Sequence, residues 1–410
     1  MLKEMSNSKK LIFLCWLAYS SSYIGKLSYS ANILPIGEAF DVSNADCGAV
    51  ASVFFFVYGA GQIVNGILCK KYNIKYVIFS ALAVASAMNV LVPLVPSFDL
   101  IKYVWFVNGA AMSFLWTSLI RLISETVPSS EMPTATVTMG TTVATGTFIV
   151  YGLSSLFSAT LDYRATFFTA AALMLTVAFV WLFSFDGIVT PLREERRLNV
   201  DDLTSAKKSG FAINAYLPAF LGVVFVFCIS NNFVKDGLTS WTPKILSELY
   251  STPDWLSILL TLLLAGLAIF GAFVAVRLQR VTKNFILTAA ILFTVSLALI
   301  SAVVLLINTP LIPVTITCFA ITACLMAAVN NVVTSMIPLA LKNKINSGAI
   351  AGIINGFCYL GSTASTYGLG LIVDNSTWLT VFYVLMGTCA VAASAGFIYS
   401  IISRISKKSA

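Results

Sequence analysis

The sequence predicts an all-α membrane protein of twelve transmembrane helices in two six-helix halves. Three observations lead there. Of the 410 residues, 58% are hydrophobic and only 10% are charged, against about 25% charged in a soluble domain. Apolar runs recur from Leu11 to Ile402, each long enough to cross a bilayer at about 20 residues and 1.5 Å per residue. One long charged stretch, Asp186–Gly210, falls midway.

The runs place spans at about 11–36, 47–69, 76–96, 100–123, 134–157, 164–185, 213–240, 255–276, 284–307, 311–338, 347–372 and 377–402. The first follows Lys3, Lys9 and Lys10. It outlasts a signal-peptide core and shows no small-residue cleavage site, so it reads as an uncleaved membrane helix. Spans one to six fill residues 1–185. The stretch 186–212, with Arg193-Glu194-Glu195-Arg196-Arg197 and Asp201-Asp202, reads as a solvated tether, and 213–410 hold spans seven to twelve.

Charge supports this count. Basic residues gather in alternate loops and at both ends: Lys70, Lys71 and Lys75, then Arg121, Arg193 to Lys208, Arg277 to Lys283, Lys342 and Lys344, and Arg404 to Lys408. The other loops carry Glu38, Asp41, Asp46, Asp99, Asp162, Glu248, Asp254 and Asp374. An even number of spans with both termini cytoplasmic fits the positive-inside rule. The net charge of +8 then reflects orientation, and no nucleic-acid partner is expected. The expected location is the cell (inner) membrane, multi-pass.

Other chemistry is narrowed by what the chain lacks. There is no histidine, and the eight cysteines form no C-x-x-C pair, so they read as small buried hydrophobes. No phosphate-binding P-loop, H-E-x-x-H or nucleophile elbow occurs. We expect neither an enzyme nor a cofactor.

Two lysines break the apolar pattern. Lys26 lies in span one ahead of Pro35, and Lys235 in span seven ahead of Pro243. Lys26 precedes Glu38 by twelve residues and Lys235 precedes Glu248 by thirteen, which puts both roughly 18–20 Å below one surface. A charge at that depth reads as functional, and snorkelling cannot bring it to the interface. Tyr19, Tyr23 and Lys26 share one helical face by their i, i+4, i+7 spacing. Tyr58 and Tyr359 are further candidates to line the same cavity, and Asn331 and Asn355 are amides within apolar runs. Asp236 is a coupling candidate or a partner of Lys26. Next to Lys235 in a helix, it points about 100° away from it. Arg121, with Glu125 and Glu131, is a candidate cytoplasmic gate. Gly348-x-x-x-Gly352-x-x-x-Gly356 permits close helix approach.

The run Lys235-Asp-Gly-Leu-Thr-Ser-Trp-Thr-Pro243 resembles the span-seven motif of the organophosphate:phosphate antiporters, of the glycerol-3-phosphate transporter type, within the major facilitator superfamily. Tyr19, Tyr23, Lys26 and Pro35 are similar to that family's span-one pattern. Tyr58-Gly59, Cys358-Tyr359-Leu360-Gly361, and Val373-Asp374 with Trp378 match as well. The resemblance implies the major facilitator fold, a monomer, and two basic residues clamping an anion between the halves. The family places arginine at both clamp positions. Here lysine offers a compact point charge in place of a planar fork. The family's span-two lysine corresponds to Gln62, its span-five histidine falls near Thr142, and its span-seven tyrosine is Asn232.

The expected function is secondary transport of a small organic anion, an organophosphate or a carboxylate, by exchange or ion-coupled symport. A transporter-like membrane sensor of an anionic metabolite is the alternative. A proton-coupled sugar or drug transporter would need cavity acids, and Asp236 stands alone.

Overall fold

A computed structural model describes residues 6–68, 71–128, 130–198, 216–307, 309, 311–338 and 347–409. These residues form twelve helical spans. Span one is Asn7–Ala31 continued by Ile33–Phe40; span two is Asn44–Leu68; span three is Ile74–Leu91. Span four is Phe98–Met112 and Leu115–Thr126; span five is Met132–Gly140 and Thr142–Thr160; span six is Arg164–Leu198. Span seven is Tyr216–Tyr250; span eight is Asp254–Ala268 and Gly271–Thr282; span nine is Phe285–Leu305. Span ten is Ile312–Asn331 with the π turn Val332–Met336; span eleven is Ser347–Asn375; span twelve is Trp378–Ser409. The helix of span six runs through Asp186 to Leu198, past the expected start of the tether, and 199–215 lie outside the described residues.

The two halves repeat one packing pattern. Span one packs on spans five and six, span two on four, and span three on four and six; six spans later, seven packs on eleven and twelve, eight on ten, and nine on ten and twelve. The halves meet along two seams, span two against eleven and span five against eight. Ten spans are long and apolar enough to cross a membrane, and the first and eleventh are not among them. Span eleven is buried along the faces it packs on spans two and seven and exposes Leu360, Tyr367 and Leu371 on another side, whereas span one is enclosed. In span one, Ser20, Ser21, Ser22, Lys26, Ser28 and Ser30 are all buried against protein, so that helix need not be apolar to avoid lipid.

Both prolines leave a mark. Proline has no N–H and crowds the carbonyl four residues back. Pro35 thus frees the Ala31 carbonyl, and the first helix of span one ends there. Pro243 frees the Thr239 carbonyl inside span seven. Span five satisfies both: the Ser154 hydroxyl reaches the Ala31 oxygen and the Tyr151 hydroxyl donates to the Thr239 oxygen, each at 3.1 Å. Each such bond is worth about 1 kcal/mol net, and an orphaned buried carbonyl would cost more.

The turns near Asp41, Asp254 and Asp374 lie at one end of the bundle, the acidic end. There the halves are stitched together. The Asp374 carboxylate accepts the backbone N–H of Asn44 (3.0 Å) and Ala45 (2.6 Å) and the Asn44 side-chain amide (2.7 Å). It therefore caps span two from the opposite half, where unpaired N–H groups attract negative charge. Just inside, Gly48 lies so close to the Thr366 carbonyl that a Cβ there would overlap it. Of the glycine series in span eleven, Gly356 abuts the Ile63 side chain, but Gly352 has no heavy atom within 4 Å of where its Cβ would be. The expected close approach fails at Gly352; the tightest contacts along this seam form nearer the acidic end.

Candidate functional site

Span one is fixed rigidly around Lys26. The Gly25 carbonyl accepts the Asn89 and Asn108 amides at 3.3 and 3.5 Å, and the Ser28 hydroxyl binds Asn89 at 2.7 Å. These asparagines do interhelical work, tying spans three and four to the turn that carries the lysine.

Lys26 is 6% exposed and projects into a box of aromatic rings. Its Nζ lies 4.3 Å from the Tyr58 ring centroid, 4.8 Å from Tyr359, 4.9 Å from Tyr23, 5.3 Å from Phe55 and 5.8 Å from Phe54. Ring faces carry partial negative charge, and each such contact stabilises a cation by about 0.5–2 kcal/mol. The ammonium donates one hydrogen bond, to the Tyr359 hydroxyl at 3.3 Å. Among the described residues no other acceptor is within hydrogen-bonding distance of it. Tyr359 comes from span eleven, so the box closes across the two halves. Gly59 makes room for it: a Cβ at that position would stand 2.6 Å from the Tyr359 Cβ. Tyr19 stands behind the box, its hydroxyl sharing a 3.3 Å hydrogen bond with Tyr58 and its ring against Trp116.

Lys235 and Asp236 form a second charged group, carried by span seven. The sequence places Asp236 pointing away from Lys235, and the structure corrects this. The Lys235 ammonium reaches Asp236 Oδ1 at 3.3 Å. Their Cα–Cβ bonds diverge, but the four-carbon lysine stem bends round to the carboxylate. The Ser362 hydroxyl donates to Asp236 Oδ2. Ser362 accepts in turn from the Asn232 amide at 3.1 Å, and Asn232 from Asn231 at 3.0 Å. The pair is partly open to space, with Lys235 30% and Asp236 16% exposed at the side chain.

The remaining candidates spread along the bundle. Asn355 donates to Gln62 across the seam at 3.4 Å, on the side of the box away from the acidic end. Asn331 ends the regular helix of span ten, where the backbone widens into the π turn, and no hydrogen bond joins it to the lysine cluster. Arg121 binds Glu125 one turn along span four at 2.6 Å. Glu131 precedes the first helix of span five, with one carboxylate oxygen buried and without a hydrogen-bond partner. Phe54, Phe55 and Ser362 are the participants that sequence reasoning missed. Phe54, Phe55 and Tyr58 are spaced i, i+1, i+4, a usable signal, but phenylalanine in an apolar helix carries no distinguishing mark. Ser362 directly follows the Cys358-Tyr359-Leu360-Gly361 run.

Among the described residues no group of His, Cys, Asp or Glu is arranged to hold a metal ion. What the arrangement offers is two ammonium groups from opposite halves, one carboxylate, and an aromatic wall. Such a set can bind an anion that has a carbon skeleton.

A model of the Major Facilitator Superfamily matches residues 15–366. Over shorter stretches the chain is similar to Membrane sensor protein UhpC of Escherichia coli (strain K12), 25% identical over 101 residues, which is 25% of this chain and 23% of that one. The Salmonella typhimurium (strain LT2) protein of the same name is 23% identical over 123 residues, 30% of this chain and 28% of that one. These matches span about a quarter of the relatives' length. The fold is similar to a bacterial homolog of the human lysosomal transporter Spinster in an inward-facing, occupied conformation, with TM-score 0.73, 14% identity and 96% of each chain covered. It is also similar to a mutant of the nucleoside transporter NupG, with TM-score 0.68, 14% identity, and 96% of this chain and 100% of that one covered.

Proposed function

The chain belongs to the Major Facilitator Superfamily, and from that premise we propose that it is a secondary transporter that carries a small organic anion, a carboxylate or a phosphate ester, by alternating access. The observation that carries this reading is the buried Lys26 ammonium, held in a box of rings and bonded at 3.3 Å to Tyr359 from the other half. An anion entering there would satisfy the idle donors of Lys26 and draw Lys235 toward it. Its charge would offset the repulsion between the lysines and let the halves close on it. Because interactions with both halves are made only around bound anion, the loaded protein crosses between open states more readily than the empty one.

Exchange against a second anion is the mode that the family resemblance implies; symport with a proton through Asp236 is the other. The basic residues of alternate loops support a cell (inner) membrane location with both termini cytoplasmic, so the acidic end would face outward. The likeness to proteins named as membrane sensors favours a second reading, in which the anion binds and is not carried. Counterflow in proteoliposomes, with labelled carboxylates and phosphate esters, tests the proposal. Accumulation of one anion driven by its unlabelled form is expected. Anion binding without flux would support the sensor reading and overturn transport.

A further inference from the structure

The charges of the cluster can be counted. Lys26, Lys235 and Asp236 are its acidic and basic side chains, and Asp236 is already committed. One carboxylate oxygen lies 3.3 Å from the Lys235 ammonium and the other accepts the Ser362 hydroxyl. The hydrogen bonds behind it run in one direction. The Asn231 amide donates to Asn232, Asn232 donates to Ser362, and the Ser362 hydroxyl lies at 2.5 Å from Asp236 Oδ2, much nearer than its other acceptor, the Cys358 carbonyl at 3.5 Å. Both Asp236 oxygens are thus placed as acceptors, one from an N–H⁺ and one from an O–H, an arrangement that suits a carboxylate. Lys235 therefore carries its counter-ion with it. Among the described residues Lys26 has no carboxylate within ion-pair distance, only ring faces and one phenol. With both lysines protonated, the cluster holds one unmatched positive charge.

Resting on the reading of this site as an anion carrier, we propose that its substrate is a singly charged organic anion whose carbon skeleton lies along the Tyr23, Tyr58, Tyr359 and Phe55 rings, and that Asp236 is the residue that excludes doubly charged anions. A single negative charge brings the cluster to neutrality. A second would leave an uncompensated charge facing the Asp236 carboxylate away from bulk water, where like charges repel strongly. The aromatic wall works in the same direction. Ring faces repel anionic groups and welcome apolar or C–H-rich surface, so the part of the ligand beyond its one charged group must be uncharged.

The test uses matched anions whose charge does not vary near neutral pH: ethanesulfonate against ethanedisulfonate, benzoate against phthalate, and gluconate against glucarate. Each is titrated against thermal unfolding of the purified full-length protein. The singly charged member of at least one pair is expected to protect at a concentration at least about tenfold lower than its partner. Asp236→Asn should cut that ratio to below about threefold or reverse it. Ser362→Ala, which leaves the carboxylate but removes its donor, should narrow it in the same direction and serves if Asp236→Asn does not fold. Better protection by the doubly charged members, or a ratio unchanged in the variant that folds, would overturn the proposal and leave the anion reading standing. Protection by neutral sugars alone, with no anion of either charge effective, would overturn both.

Discussion

At the scale of single residues, the site turns on how Lys26 is held. A buried ammonium with one hydrogen bond is tolerated because five rings surround it. Tyr359 contributes both a ring and the sole acceptor, and its two parts can be separated. Tyr359→Phe keeps the ring and should weaken anion uptake about threefold to tenfold, near 1 kcal/mol. Tyr359→Leu removes the ring too and should weaken it further, by about 0.5–2 kcal/mol more. Equal effects in an uptake assay would show that the ring does not matter. The lysines, Tyr19 and Tyr23 were legible because a charge or a phenol stands out in an apolar helix and their spacing puts them on one face. Phe54 and Phe55 were not, since nothing in the sequence separates a phenylalanine that lines a charge from one that fills a core. The ion pair of Lys235 with Asp236 was hidden for another reason: side-chain direction at Cβ does not fix where a long flexible stem ends.

Elements carry the gating. Span two begins at Asn44, where Ser43 caps the Asp46 N–H at 3.1 Å, and it takes a second cap for the Asn44 and Ala45 N–H groups from Asp374 in the other half. This contact exists only while the acidic end is shut, so its energy counts wholly toward that state. Asp374→Ala should destabilise the shut acidic end by about 1–2 kcal/mol, the usual worth of a helix cap. Spin labels on Asp41 and Ser376 should then report a larger population at long distance, and an unchanged distance distribution would deny Asp374 a latch role. The two prolines were legible as matched features of spans one and seven. That span five answers both freed carbonyls was not, because it depends on which helix the fold brings alongside. The interruptions of spans four, five and eight at Ser113, Thr141 and Ile269 fall where hydroxyls bond back to carbonyls three residues earlier, at Ser113 and Thr141, or where a glycine adjoins, at Gly140 and Gly271, signals too common in membrane helices to mark a break from the sequence.

For the whole molecule, the sequence carried the architecture well. Alternating loop charge pointed to an even number of spans, and the charged stretch from Asp186 pointed to a division into halves, although the helix of span six runs on to Leu198. The apolar runs place all twelve spans, and the two that are not long and apolar enough to cross a membrane by themselves, the first and eleventh, supply Lys26 and Tyr359. Their polarity is what the site requires, and burial within the bundle makes it affordable. The packing pattern repeated six spans apart gives the two lysines equivalent stations in their halves, and the account rests on their acting together on one anion. The most direct test is counterflow of the substrate into proteoliposomes by Lys26→Ala and by Lys235→Ala, each checked for an unaltered thermal unfolding profile. Both should lose transport by at least about a hundredfold, as expected when one partner of a buried charge interaction worth ~3 kcal/mol or more is removed. Transport at the wild-type rate by either variant would contradict the account.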